Sequence, residues 1–212
     1  MVAALEEPTS IYSLDLSGNN VDASSAPLIG EVVRENSTLV SLNLNGYSEG
    51  ERMRAEGMLA LMNVLAINQT LTSLDLASHG LMNSCCLSLA RCLLHTSVSI
   101  ISLRGNHIGS RGGMGLASAL ADLSSALVEM KSTRYVAIDI RENPLEEDAV
   151  EELSRVSAAS PLLAAFPSHL RRLGKNQWWD PSPVHPRTLR DSLYVHKHHQ
   201  IEVLCEIATG VL

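Results

Sequence analysis

The chain has 212 residues, of which 45% are apolar and 18% charged, so it can bury a core and is not a wholly disordered polymer. Its net charge of −7 sets the average field against nucleic acid and excludes a primary DNA- or RNA-binding role. Aromatics make up only 3%, so that core must be aliphatic.

The N-terminal segment MVAALEEPTS has neither a basic region nor an apolar run of signal-peptide length. The longest apolar segment, 58–67, is broken by Asn63 and is too short to span a membrane. Cys85, Cys86, Cys92 and Cys205 have no disulfide-framework or zinc-site spacing and read as small apolar residues of a reducing compartment. The expectation is a soluble cytoplasmic protein with no cofactor, no metal and no membrane contact.

One pattern then recurs along the chain: apolar-x-x-apolar-x-apolar-x-x-Asn-x-apolar. It fits Ile11, Leu14, Leu16, Asn19 and Val21, then Leu39, Leu42 and Leu44 with Tyr47 in the Asn place. It returns at Leu71, Leu74, Leu76, His79 and Leu81, at Val98, Ile101, Leu103, Asn106 and Ile108, and at Tyr135, Ile138, Ile140, Asn143 and Leu145. The starts are 28, 32, 27 and 37 residues apart. Alternation such as Leu14-Asp15-Leu16 predicts a strand with one buried face. Between the strands, 55–67 predicts a helix with Leu59, Met62, Leu65 and Ala66 on one stripe, and 115–127 a second with Leu116, Leu120, Leu123 and Leu127. A third helix over 146–156 carries acids in its first turn, where the helix dipole favours them.

The segments SLDLSGNNV, SLNLNGY, SLDLASHGL, SLRGNHI and AIDIRENPL resemble leucine-rich repeats, and their spacing near 28 resembles the ribonuclease-inhibitor-like subclass. The resemblance implies an α/β solenoid of about five strand-helix repeats over residues 1–160, with a parallel sheet on the concave face. It also implies a non-catalytic protein-protein interaction scaffold. Two alternatives stand beside that reading: a structural subunit of a large cytoskeletal or flagellar assembly, and an adaptor module of a ubiquitin-ligase or GTPase-regulating complex. Tyr47 and His79 depart from the Asn position, so those turns are expected to be looser or differently bonded. The extra residues around 48–54 and 124–134 are expected to form loops.

On each strand the residues between the apolar ones are expected to face out on the concave side. Asp15, Asn43, Asn45, Asp75, Arg104, Asp139 and Arg141 are the candidate partner-binding residues there; the same groups also serve to keep a sheet surface soluble. Such a face is small beside the ~800 Å² per partner of a stable interface, so loops, helices or the tail must add to it. The first strand follows only ten residues, so the N-terminal edge is expected to want a covering segment or a homodimer mate.

Other motifs read as structural. Asn36-Ser37-Thr38 and Asn68-Gln69-Thr70 match the glycosylation pattern, but both precede a strand where a helix ends in a left-handed turn. The glycines of 105–115 lack the ending of a phosphate loop and suit close helix packing. No catalytic constellation assembles by spacing.

Near Pro161 the chain changes character. Residues 1–160 hold 10 Lys/Arg and 19 Asp/Glu, whereas 161–212 hold 6 and 4 with five of the eight His. His196, His198 and His199 lack a partner at metal-site spacing and read as a solvated tract. Prolines in 161–186 predict irregular chain. Within it, Trp178 and Trp179 either cap the end of the solenoid or anchor a partner. Farther on, Ile201, Leu204, Ala208 and Val211 recur at helical spacing. A helix this short must dock, either as a cap on the last repeat or on another protein.

Overall fold

A computed structural model describes residues 11–19, 21–46 and 53–166 of the chain. Six strands form one parallel sheet in sequence order: β1 (Ser13–Asp15), β2 (Ser41–Asn43), β3 (Ser73–Asp75), β4 (Ile100–Ser102), β5 (Val136–Asp139) and β6 (Leu163–Phe166). Five helices alternate with them: α1 (Ala26–Glu35), α2 (Arg54–Leu65), α3 (Asn83–Leu93), α4 (Ser110–Glu129) and α5 (Glu147–Ala159). This is a short α/β leucine-rich-repeat solenoid. Each unit contacts its neighbours along the array and hides its apolar side by stacking.

The register follows the sequence pattern. Leu14, Leu42, Leu74, Ile101 and Ile138 pair in one lane across the sheet. From Leu42 onward that lane is almost fully buried, as is the next one of Leu44, Leu76, Leu103 and Ile140. Two apolar side chains per strand, at alternate positions, therefore set both the face and the register of the sheet. Leu116, Leu120, Leu123 and Leu127 of α4 are buried beneath it as the stripe predicts.

Helix starts also follow local chemistry. The Asp22 carboxylate accepts the backbone N–H of Ser24 and Ser25 just before α1, and Pro27 lies in the first turn. These bonds, the Ser25 hydroxyl's first among them, hold the Asp22 carboxyl down to about 2. The glycines of α4 allow close approach. A Cβ on Gly112 would lie 2.7 Å from Asn83 Oδ1, and one on Gly113 would lie 2.8 Å from Leu145 Cδ2. Both are packing glycines, as expected from their place in the repeat.

Four expectations are corrected. The extra residues of the fourth repeat form no loop: they lengthen α4 to 20 residues, against 10 to 13 in the other helices. On α2, Met62 and Leu65 are buried as the stripe predicts, but Met58 and Leu61 complete the buried face and Leu59 is exposed. Irregular chain does not begin at Pro161, because Leu163–Phe166 adds β6 to the edge of β5. Asn36 ends α1 with an extended backbone, not a left-handed one. Of the second-repeat insertion, only Met53 and Arg54 lie among the described residues; Tyr47 and residues 48–52 lie outside them. Outside as well lie Trp178, Trp179, the His tract and the segment 200–212.

Candidate functional site

The ends of the strands carry two polar ladders. In the first, an Asp or Asn in the last strand position accepts the backbone N–H two residues on. Asp15 takes Ser17 N–H at 2.8 Å, Asn43 takes Asn45 N–H at 3.0 Å, Asp75 takes Ala77 N–H at 2.9 Å and Asp139 takes Arg141 N–H at 3.1 Å. These are side-chain turns that satisfy backbone groups where the strand stops. Ser102 occupies the same place on β4.

In the second ladder the repeat Asn reaches back one unit. Asn106 donates from Nδ2 to Leu76 O (3.0 Å) and Leu103 O (2.7 Å), and its Oδ1 accepts His79 N–H and Leu81 N–H. Asn143 donates to Leu103 O (2.9 Å) and Ile140 O (3.0 Å) and accepts Ile108 N–H. His79 takes the Asn role with an imidazole: Nε2 bonds Leu44 O, and Nδ1 accepts Met53 N–H at 3.4 Å. A carbonyl only accepts, so the proton sits on Nε2. That turn is differently bonded, as expected, and it is fully buried.

Asn36 and Asn68 form a third set at the strand entrances. Each Oδ1 accepts two backbone N–H groups, from Thr38 and Leu39 and from Thr70 and Leu71. Asn68 Nδ2 also donates to Val33 O and Asn36 O of the preceding repeat. The Asn68 amide nitrogen a glycan would need is thus buried and engaged, which gives the motif a structural reason to exist.

The candidate binding residues separate by depth. Asp15 and Arg104 are exposed, and Asn43, Asn45 and Arg141 are half-buried. Asp75 and Asp139 are only 5% and 1% exposed, which corrects the expectation that the whole acidic lane faces solvent. Neighbouring strands ~4.8 Å apart leave short side chains in mid-lane little access to water. Burial pushes the Asp75 carboxyl above its usual range, against the Ala77 N–H and Ser102, while the Asp139 and Asp15 charges add to the rise. Asp15 goes the other way, lowered first by the Ser17 hydroxyl.

Two ion pairs line the rim. Arg141 grips Asp139 through Nε and NH2 at 2.8 and 2.6 Å. Arg104 reaches Glu142 of the next repeat at 2.6 Å, and this bond raises the Arg104 guanidinium. Glu142 has φ of 60°, a left-handed conformation that costs a non-glycine residue about 1–2 kcal/mol. The same repeat position holds Gly18 and Gly105 with positive φ and Ser78 with φ of 61°. Glu142 was missed in the sequence; its signal is a charged residue where other repeats carry glycine.

Among the described residues no group of three or more His, Cys, Asp or Glu could hold a metal, and no helix is long and apolar enough to cross a membrane. Burial pushes the Cys86 thiol up to about 12 and the Cys92 thiol up to about 11, so neither is a nucleophile at neutral pH.

A family model described as leucine-rich repeat matches residues 68–90 and 95–117, which span β3, α3, β4 and the start of α4. The match covers two of the repeats and agrees with the leucine-rich-repeat architecture of the fold. No curated protein sequence matches it. Among solved structures, the leiomodin-1 actin-binding site 2 is similar, with a TM-score of 0.57 at 14% identity, covering 73% of this chain and 84% of that one. At that identity the likeness is one of fold.

Proposed function

We propose that the chain is a non-catalytic scaffold, cytoplasmic and of the ribonuclease-inhibitor-like kind, that binds another protein. The contact runs along the ends of its strands. The observation that carries this reading is the rim itself. Asp15 and Asn43 share one lane across the strand ends, and Asn45, Arg104 and Arg141 hold equivalent places two residues farther along their repeats, all above a buried ladder that fixes their spacing. Asp75 and Asp139 act beneath that rim as supports, Asp139 by holding Arg141. Glu142 adds an acid in a strained conformation, a feature that clusters at binding sites.

Size limits the affinity. Six strands at ~4.8 Å span only ~24 Å, short of a full interface, so the C-terminal extension 161–212 with Trp178 and Trp179 supplies further contact area. The test is capture from an extract with the parent chain and with the charge-reversed pair Asp15→Lys and Arg104→Glu. Proteins retained by the parent and lost by the variant support the rim; an unchanged set overturns it.

A cytoskeletal setting is the second reading, favoured by the likeness in fold to the leiomodin-1 actin-binding site 2. Co-sedimentation with actin filaments tests it, and a chain left wholly in the supernatant rejects actin as the partner.

A further inference from the structure

The outer surface of the helical layer carries apolar groups where a solenoid ordinarily presents polar ones. Leu59 on α2, Leu87 on α3 and Met114 on α4 occupy the same position of three consecutive repeats and are 46%, 54% and 41% exposed. The row is continuous between α3 and α4: a Cβ on Gly115 would lie 3.2 Å from Leu87 Cδ2. One turn farther the same three helices carry Asn63, Arg91 and Ser118, so the apolar row is one residue wide on each helix. Toward the far ends of the helices Ile67, Leu94, Val128 and Met130 are exposed as well. The row stops at α5, where the same position is Glu151, flanked by exposed Glu147 and Asp148.

We propose that this row is the docking site of the chain's own C-terminal segment, residues 200–212. The surface is separate from the strand-end rim, and the proposal does not depend on it.

Three observations favour that occupant. The first is spacing. Ile201 to Val211 spans ten residues, ~15 Å at helical rise. Leu59 to Met114 crosses two helix intervals of ~8–10 Å, so the apolar stripe and the row have matching lengths. The second is reach. The chain leaves the sheet at Phe166, and the 33 residues between it and Gln200 reach at most ~110 Å when fully extended. The path from the last repeat to α3 is two helix intervals and one layer, ~30 Å, well within that reach. Binding is then intramolecular, at an effective concentration a separate partner rarely matches.

The third is charge. Residues 1–160 hold 10 Lys/Arg and 19 Asp/Glu, while 167–199 hold six Lys/Arg against Asp180 and Asp191, so the chain leading to the stripe is basic although the stripe itself carries Glu202 and Glu206. A second copy would bring an equally acidic solenoid against the first, and like charge opposes that.

Hydrogen exchange on the full chain tests the proposal. In the parent, amides of 201–211 should exchange at least ~10-fold more slowly than an unstructured segment. In Leu87→Glu, an exposed site, they should exchange at the unstructured rate while β3 keeps its protection. Unprotected amides in the parent, or protection that survives Leu87→Glu, would overturn the proposal. If β3 also loses protection in that variant, a cross-link decides. Cys205 falls four residues after Ile201, and Cys85, Cys86 and Cys92 are buried. Oxidised Met114→Cys should give a disulfide within one chain, seen as a faster band on a non-reducing gel. A linked dimer alone assigns the row to a second copy and overturns docking on the same chain, as does the absence of any link.

Discussion

His79 bonds the Leu44 carbonyl of the preceding repeat, the same relation that Asn106 has to Leu76 and Asn143 to Leu103. An imidazole thus replaces an amide in a buried ladder without breaking it. It reaches a second backbone group as well, the Met53 N–H at the start of α2. His79→Ala leaves these groups without their partner, at about 1–3 kcal/mol each. His79→Asn keeps the link to Leu44 and should cost clearly less. Urea unfolding of the two variants checks this; equal losses would mean that the ring serves by its volume and not by its bonds.

The acids of the strand ends make a prediction about pH. Asp75 has its carboxyl raised by burial, so its neutral form suits the folded state. Its contribution to stability is fully present below the unfolded value near 3.8 and is lost as pH rises through the raised folded value. Asp22 has the opposite sign: held down to about 2, it stabilises above its unfolded value and loses that effect as pH falls toward 2. Asp75→Asn keeps the turn, as Asn43 shows on β2, and removes the buried charge. It should raise Tm at neutral pH and leave it unchanged below pH ~3. A lower Tm at neutral pH would show that the carboxylate is needed.

Asp139 differs because its charge is matched. Arg141 holds both carboxylate oxygens, and the Asp139 side chain is almost wholly buried. Asp139→Lys removes the partner, leaves the Arg141 N–H unpaired and buries a second cation beside the first. The loss should be about 3–5 kcal/mol, read by thermal or urea unfolding. Asp15→Lys, at an exposed site, should stay within about 0.5 kcal/mol. Similar losses at the two positions would contradict the difference in depth.

Glu142 and Ser78 stand in left-handed backbone where Gly18 and Gly105 stand elsewhere. Changing either to glycine relieves strain of about 1–2 kcal/mol and returns part of it through the freer unfolded chain, for a net gain near 0.5–1 kcal/mol. At Glu142 the same change frees Arg104 from its ion pair. A partner that uses the rim should then bind more weakly although the protein is more stable, and calorimetry on both quantities separates the effects. Stability that falls in both variants would show that the side chains' bonds outweigh the strain.

The lanes of Leu and Ile were legible because a period of two and a repeat near 28 both appear in the string of residues. Depth within the sheet was not. Alternation says which way Asp75 and Asp139 point, whereas their burial comes from neighbours about 30 residues away. The role of His79 was hidden for the same reason, since Leu44 lies 35 residues before it. The added length of α4 was also hidden, because extra residues in a repeat carry no mark of loop or helix.

Helix phase gives the sharpest remaining check. On α2 the sequence pattern sets Leu59 in the buried stripe, but the structure turns Met58 inward and Leu59 out. Adjacent residues lie ~100° apart around the helix, so Leu59 leaves the stripe while Met62 and Leu65 stay in it. Leu74, in contrast, is wholly buried in the sheet lane. Leu74→Ala should therefore cost about 2–5 kcal/mol. The chemically identical Leu59→Ala removes an exposed side chain and should cost under about 1 kcal/mol. Urea midpoints of the two variants decide it. A large loss at Leu59 would restore the sequence phase, and a small loss at Leu74 would mean that the register of β3 is wrong.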